Sequence, residues 1–185
     1  MKKYVVAAVL ALSTIGSASA EPSTVFASLS SAVTSEFKSI LNEGTPELYV
    51  PLHTHHLRRA YDSDLIASFN ENPWGIGYGK GFKDEKGVWH GMYAMGFLDS
   101  HAKLEPIAGL ARVYPVGTYL GVATGVGYTA FLTARQDIAH YFPIPGAVPL
   151  LSLERGNVSV MTTFIPGGHN KGNILFMFGK YTFPQ

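Results

Sequence analysis

The 185-residue chain has no cysteine, few charged residues and little net charge. Without cysteine, an exported domain of this size cannot rely on disulfides and must be stabilised by other means. The formal net charge of +1 gives no indication of nucleic acid as a partner. Beyond the first twenty residues, charge, glycine or proline interrupts every apolar stretch before it reaches the length of a membrane-spanning helix.

The amino-terminal segment has the pattern of an export signal. Two lysines precede an apolar stretch at residues 5–12, which is too short to cross a bilayer, and residues 18–20 form a small-residue cleavage site. The sequence therefore predicts a signal peptide over residues 1–20 and a mature chain that begins at Glu21.

One segment of the mature chain has convincing helical periodicity. Over residues 23–42, apolar side chains recur at the spacing of one helix face, and polar side chains such as Thr34 and Lys38 occupy the other. Two interpretations stay open: a helix packed on the domain core, or an interfacial helix lying on a membrane. We favour the interfacial helix because barrels have few places for a packed helix.

Further along, the chain consists of short strands and turns. The connections alternate between tight turns, expected at 84–87, 115–117 and 156–157, and long segments at 58–72 and 133–146. This alternation is typical of an outer-membrane barrel with tight turns on one side and longer loops on the other. The eight predicted strands are 47–57, 73–82, 88–98, 103–114, 118–132, 147–155, 158–166 and 172–183.

These patterns predict an all-β fold, an eight-stranded antiparallel transmembrane β-barrel with an N-terminal amphipathic α-helix. A single mature domain is expected over residues 21–185, with the helix in 21–44 and the barrel in 45–185. A closed barrel has no exposed sheet edge, so a monomer is expected. A soluble lipocalin-like carrier is the alternative for an apolar barrel.

The expected lumen is unusually apolar. The third and last strands carry apolar residues on both faces, and Gly75, Gly77, Gly79 and Gly81 share one face of the second strand. An eight-stranded barrel has room for packed side chains or for one small ligand. A lumen that admits a hydrocarbon chain and a solid packed core both fit this pattern.

Strand parity predicts a cluster of reactive side chains at one rim. If the helix lies on the periplasmic side, odd-numbered strands run outward. His56, at the end of predicted strand one, and the Asp99–Ser100 pair, at the end of predicted strand three, then lie at the same level of the barrel. A histidine can remove the proton of a serine hydroxyl, and a carboxylate can orient that histidine. The cluster suggests acyl transfer at a membrane surface, although Asp–Ser is also common in turns and the Gly-x-Ser-x-Gly motif of hydrolases is missing.

His53 and His55 share the other face of the first strand. A His-x-His pair can bind a metal ion, but the sequence places no Asp, Glu or Cys partner evidently near it. We therefore expect no metal site at this pair.

Four prolines interrupt the predicted ladders. Each removes a backbone donor, which opens a local gap between neighbouring strands. They are Pro51 and Pro73 in strands one and two, and Pro149 and Pro166 in strands six and seven. Simple termination of the strand is the alternative, and it fits Pro166 well and Pro51 poorly.

From about residue 48 to residue 183, the chain resembles the lipid A palmitoyltransferases, the PagP family. The motifs that carry the resemblance are HLRRAYD (56–62), NENPWG (70–75), EKGVWHGMYAM (85–95), DS (99–100) and EPIAG (105–109), with further matches at 125–135, 149–150 and 165–173.

The resemblance implies transfer of a palmitoyl chain from the sn-1 position of a phospholipid to lipid A in the outer leaflet of a Gram-negative outer membrane. It implies His56, Asp99 and Ser100 as catalytic residues and a reaction that needs no cofactor or metal. Our mechanistic hypothesis is that His56 acts as general base and that Asp99 assists it. Pro51 with Pro73, and Pro149 with Pro166, would border lateral lipid gates. A lipid-binding barrel without activity and an outer-membrane phospholipase remain as alternatives.

Ala111 is the main departure from the family pattern, which often has glycine at the matching position on the floor of the acyl pocket. Because close-packed interiors respond to single methyl groups, the added methyl is expected to shorten the pocket by about one carbon. A neutral exchange absorbed by neighbouring residues is the alternative.

Overall fold

The computed structural model describes residues 22–184, and within this range one long helix precedes eight antiparallel strands that form a closed barrel. The signal peptide expected over residues 1–20 lies outside the described residues. The elements are α1 (Pro22–Glu43), β1 (Thr45–His56), a 3-10 turn (Arg58–Ala60), α2 (Ser63–Ala67), β2 (Gly75–Lys83), β3 (Trp89–Leu98), β4 (Leu104–Tyr119), β5 (Val122–Thr133), a second 3-10 turn (Ala139–Tyr141), β6 (Ile144–Arg155), β7 (Val158–Ile165) and β8 (Ile174–Thr182).

Each strand pairs with the next one along the chain, and β8 pairs with β1 to close the barrel. Because side chains alternate across a strand, one set faces the lumen and the other faces outward. The outward set includes exposed apolar residues such as Ile76, Tyr78 and Leu151. A closed sheet with an apolar outer surface is the arrangement of a membrane-spanning barrel, so the predicted fold class is confirmed. Among residues 22–184, no helix combines the length and hydropathy needed to cross a bilayer.

The tight turns predicted after β2 and β6 are confirmed, whereas the turn predicted at 115–117 is wrong. Strand β4 continues through Pro115 to Tyr119, with a shift of register between Pro115 and the second residue after it. A bulge tolerates a proline because the ladder is already interrupted there. The turn itself is formed by Leu120 and Gly121, whose φ angles of 50° and 77° match a two-residue hairpin turn.

A buried polar network fills the end of the barrel next to α1. The Glu47 carboxylate accepts hydrogen bonds from Lys180 Nζ at 2.6 Å, Tyr49 OH at 2.7 Å and Trp89 Nε1 at 3.1 Å. Lys180 Nζ also lies 4.6 Å from the centroid of the Trp89 ring. Gly81 is required beside this ring, because a Cβ there would lie 2.4 Å from Trp89 Nε1. In this half of the barrel, the interpretation of the lumen as a packed core is correct.

One face of α1 packs against the barrel. Ile40 is fully buried, and Glu36 accepts a hydrogen bond from Arg112 Nε at 3.0 Å and lies 2.7 Å from His90 Nδ1. Burial alone would raise the pKa of Glu36, but the hydrogen bonds with Arg112 and His90 outweigh it and lower the pKa below its ordinary value. The helix also has an exposed apolar stripe, formed by Val33, Phe37 and Leu41. The packed interpretation is therefore correct for one face, and the exposed apolar stripe leaves the interfacial interpretation a prediction.

Candidate active site

A serine hydroxyl and a histidine ring meet at the rim opposite α1. Ser100 Oγ lies 2.9 Å from His56 Nε2, and both residues are buried. His56 is the last residue of β1, and Ser100 follows the end of β3 by two positions. The strands thus bring together two residues that are 44 positions apart, as strand parity predicted.

Glu71 contacts the other nitrogen of the His56 ring. Its Oε1 lies 3.0 Å from His56 Nδ1 and accepts the backbone N–H of His56 at 3.1 Å. Arg58 donates from Nη1 to Oε1 at 2.7 Å and from Nη2 to Oε2 at 2.6 Å. The hydrogen bonds from Arg58, supported by those from His56, lower the pKa of Glu71 to about 2, so this carboxylate is ionised at neutral pH. Ser100, His56 and Glu71 therefore form a hydroxyl–imidazole–carboxylate chain.

Asp99 supports the turn that carries the serine. Its Oδ1 accepts the backbone N–H groups of His101 and Lys103, both at 2.8 Å. Its Oδ2 lies 3.8 Å from Arg135 Nη2. The sequence led us to expect Asp99 beside His56. In the structure the carboxylate that contacts His56 is that of Glu71, in the connection between β1 and β2.

Aromatic side chains fix the orientation of the His56 ring. Phe69 stacks on it with 4.5 Å between ring centroids, and the edge of Tyr61 approaches it at 5.3 Å. The Tyr61 hydroxyl donates to the backbone oxygen of Gly172. Because the ring is packed on these sides, Nε2 stays directed at the serine hydroxyl.

An apolar cavity of about 360 Å³ opens beside the serine. This volume lies within the range of ligand pockets, about 300–1,000 Å³. Asp99 and Ser100 line its polar mouth, and side chains of β3, β5, β6 and β8 form most of its wall. The lumen is therefore open in the half next to the candidate site and packed in the half next to α1. The largest apolar side chains of the wall include Met95, Phe97, Phe131, Ile165 and Phe176.

A hydrogen bond between Tyr93 and Thr129 closes the bottom of this cavity. The two hydroxyl oxygens lie 2.7 Å apart, and each residue is the deepest cavity-lining position of its strand. Ala111 is buried and pairs with Thr129 across the β4–β5 ladder. Ala111 is not among the cavity-lining residues, and its register places it beside Thr129, one of the two residues that form the floor.

The ladder between β1 and β2 stops before the rim. Its last pair is Tyr49 with Gly77, although β1 continues to its end at the active site. Pro51 lies in the part of β1 that has lost this neighbour, next to a shift of register with β8. Pro73 was expected inside strand two, but it precedes the first residue of β2 by two positions.

The ladder between β6 and β7 also stops early, at the pair Leu150 and Thr163. Pro149 directly precedes Leu150 in β6 and lies beyond the last pair of the ladder. Its backbone oxygen accepts a hydrogen bond from Thr163 Oγ1 at 2.6 Å. Pro166 follows the end of β7 directly, so it terminates the strand, as the alternative interpretation expected, and does not lie inside it. Thr163 and Pro166 both line the cavity, so this gap adjoins the apolar lumen.

Glu71 is the main site residue that sequence reasoning missed. It lies in the long connection between β1 and β2, within a motif to which no role was given. The topology could have indicated this residue, because the connection begins after β1 and ends before β2, and both of these strand ends lie at the rim that carries His56. An acidic residue close to its end therefore returns to the level of the histidine.

The fold and the site together define a class of protein: a membrane-spanning barrel whose rim carries a serine–histidine–carboxylate chain at the mouth of an apolar lumen. Residues 36–180 match the profile of a family described as "Antimicrobial peptide resistance and lipid A acylation protein PagP". The chain belongs to the PagP family.

Curated relatives cover most of the chain. A protein of Methylobacillus flagellatus named "Lipid A acyltransferase PagP" is 48% identical over 140 residues, which cover 76% of each chain. A protein of the same name from Bordetella pertussis is 47% identical over 146 residues, covering 78% of this chain and 79% of the relative. One from Yersinia enterocolitica is 49% identical over 139 residues, covering 74% and 68%.

Proposed function

We propose that this chain is an acyltransferase that moves a palmitoyl chain from the sn-1 position of a glycerophospholipid to lipid A. The observation that carries the proposal is the chain of contacts from Ser100 through His56 to Glu71 at the mouth of an apolar cavity. Membership of the PagP family and the names of the relatives support lipid A as the acceptor. We place the reaction in the outer leaflet of a Gram-negative outer membrane.

In this proposal His56 is the general base. Its Nε2 faces the Ser100 hydroxyl, and the Glu71 carboxylate at Nδ1 orients the ring and stabilises the imidazolium that forms when a proton is taken up. Ser100 serves either as the nucleophile that accepts the acyl group or as a group that stabilises the reacting ester. Trapping of a covalent acyl-Ser100 distinguishes these two roles.

Asp99 contributes by positioning the serine. Its two hydrogen bonds to backbone N–H groups stabilise the tight turn after β3, and this turn sets the place of Ser100. We therefore keep Asp99 in the site as a residue that positions Ser100, and we assign the direct assistance of His56 to Glu71.

The two ladder gaps provide lateral paths for lipids. Donor and acceptor reach the site from the bilayer between β1 and β2, bordered by Pro51 and Pro73, and between β6 and β7, bordered by Pro149 and Pro166. The acyl chain then lies in the apolar cavity, where its burial favours binding. The same apolar walls keep water from the ester, which favours transfer over hydrolysis.

Mass spectrometry of lipid A tests the proposal. Cells that express the wild-type chain are expected to contain lipid A heavier by one fatty acyl group, and cells that express Ser100→Ala are expected to lack it. The control is the amount of folded barrel in the outer membrane, which should be equal for both. A matched Ser159→Ala variant, in the half of the barrel next to α1, should keep the heavier lipid A.

Two results would contradict the proposal. Unmodified lipid A despite a folded wild-type barrel would favour a lipid-binding protein, and released fatty acid without a lipid A product would favour a phospholipase. Full transfer by Ser100→Ala would exclude both proposed roles of the serine.

Ala111 is expected to influence the choice of acyl chain. Ala111 is buried and lies opposite Thr129 in the β4–β5 ladder, and the hydrogen bond between Thr129 and Tyr93 forms the cavity floor. Removal of its methyl group in Ala111→Gly should therefore give this floor room to recede. We expect wild type to use chains slightly shorter than palmitate as well as or better than palmitate, and Ala111→Gly to shift the distribution toward longer chains. The measurement is the acyl-chain profile of the product. Identical profiles for the two proteins would show that neighbouring residues absorb the methyl group.

A further inference from the structure

The tertiary structure supplies the third ligand that the His-x-His pair of β1 lacks in the sequence. His53 and His55 lie on the face of β1 opposite His56, with 6.2 Å between their ring centroids. Glu71 lies beside them, and one ligand atom from each of the three side chains falls within 4.8 Å of the others. We propose that His53, His55 and Glu71 form a binding site for a divalent transition-metal ion of the Zn²⁺ class.

The chemistry of the three side chains favours this class of ion. Two imidazole nitrogens and one carboxylate oxygen are a common set for Zn²⁺, with the fourth position left to water. Ca²⁺ and Mg²⁺ prefer sites built from oxygen alone, so they compete poorly here. Bonds of about 2.1 Å place tetrahedral ligands roughly 3.4 Å apart, so ligand atoms that lie within 4.8 Å of one another must approach by up to about 1.4 Å. All three residues are partly exposed, so the approach requires side-chain rotation at the surface and no rearrangement of the core.

Glu71 has one oxygen suited to the ion. Its Oε1 accepts hydrogen bonds from the backbone of His56 and from Arg58 Nη1 and lies against the His56 ring, whereas Oε2 accepts Arg58 Nη2 at 2.6 Å. The side chain of Arg58 is 49% exposed and can turn into solvent. The ion therefore binds through Oε2 in place of Arg58, and Oε1 stays on His56. Arg58 and the metal ion are thus competitors for the Glu71 carboxylate, and the contact at Oε2 is the one that the ion replaces.

Calorimetric titration with Zn²⁺ tests the site. The sample is the tag-free mature chain, refolded in a non-ionic detergent and freed of chelators, and wild type is expected to bind one ion per chain. His53→Gln and His55→Gln should each weaken binding by about tenfold or more. The matched control is His169→Gln, because His169 is 68% exposed on another loop. Its binding should equal that of wild type. Equal binding by wild type, His53→Gln and His55→Gln would overturn the proposal.

A second pair of variants tests the competition. Arg58→Gln should bind Zn²⁺ several-fold more tightly than wild type, because it removes the cation that occupies Oε2. Arg59→Gln removes the neighbouring exposed arginine and should leave the affinity unchanged. Unchanged or weaker binding by Arg58→Gln would take Glu71 Oε2 out of the ligand set and refute the site as proposed. These titrations do not require acyl transfer, so their outcome is independent of the lipid A experiment.

Discussion

The Glu71→Gln variant is expected to lower the rate of acyl transfer by about 10²- to 10⁴-fold while the barrel stays folded. The substitution keeps the size of the side chain but removes the negative charge that faces His56 Nδ1. An amide in this place can donate a hydrogen bond to Nδ1, which favours the wrong tautomer of the ring and leaves the imidazolium without its counter-charge. The measurement is the initial rate of transfer to lipid A in detergent micelles, at saturating donor.

The matched control for this variant is Glu85→Gln, in the tight turn at the opposite rim, which should keep the wild-type rate. The loss in Glu71→Gln should fall mainly on kcat, because the apolar cavity that binds the acyl chain is intact. Asp99→Asn should also lose activity, because Ser100 is displaced. The fraction of molecules with a correctly placed Ser100 can be measured with a serine-directed acylating reagent. A rate for Glu71→Gln within about threefold of wild type would show that His56 works without this carboxylate.

The second large effect concerns stability. Lys180→Met is expected to lower the free energy of unfolding by about 3–5 kcal/mol, because it leaves the Glu47 carboxylate buried without its cation. Tyr49 and Trp89 still donate to Glu47 in this variant, but neither neutralises its charge. The measurement is the free energy of unfolding in a denaturant titration of the barrel in detergent or lipid vesicles.

The double variant Glu47→Gln with Lys180→Met should recover most of this loss. The amide oxygen of glutamine can still accept hydrogen bonds from Tyr49 and Trp89, and no buried charge remains. Lys83→Met is the surface control: Lys83 is half exposed where it pairs with Glu154, so its loss should cost less than about 1 kcal/mol. An equal loss in the single and double variants would show that the charge of Glu47 is not what destabilises Lys180→Met.

Much of the barrel follows from local patterns. Alternating hydrophobicity and the spacing of turn residues predicted all the strands found in residues 22–184, with errors of a few residues at most ends. The wrong prediction of a turn at Pro115 has a physical cause. Proline interrupts the hydrogen bonds between strands, and this interruption is compatible with a bulge as well as with a turn. The distinction depends on the register with β5, which is a property of the pair of strands.

The sequence by itself determined the class of fold and the common rim of His56 and Ser100, because strand parity decides which ends of an antiparallel barrel share a level. Only the tertiary structure decided that Glu71 contacts His56 and lies beside His53 and His55, since the path of the long connection sets those distances. It also decided which half of the lumen is filled, because this depends on how the side chains around Glu47 pack across the closed barrel. The periodicity of side chains and the direction of a strand can be read from the sequence of that strand alone. Contacts across the lumen form only when all eight strands have closed into the barrel.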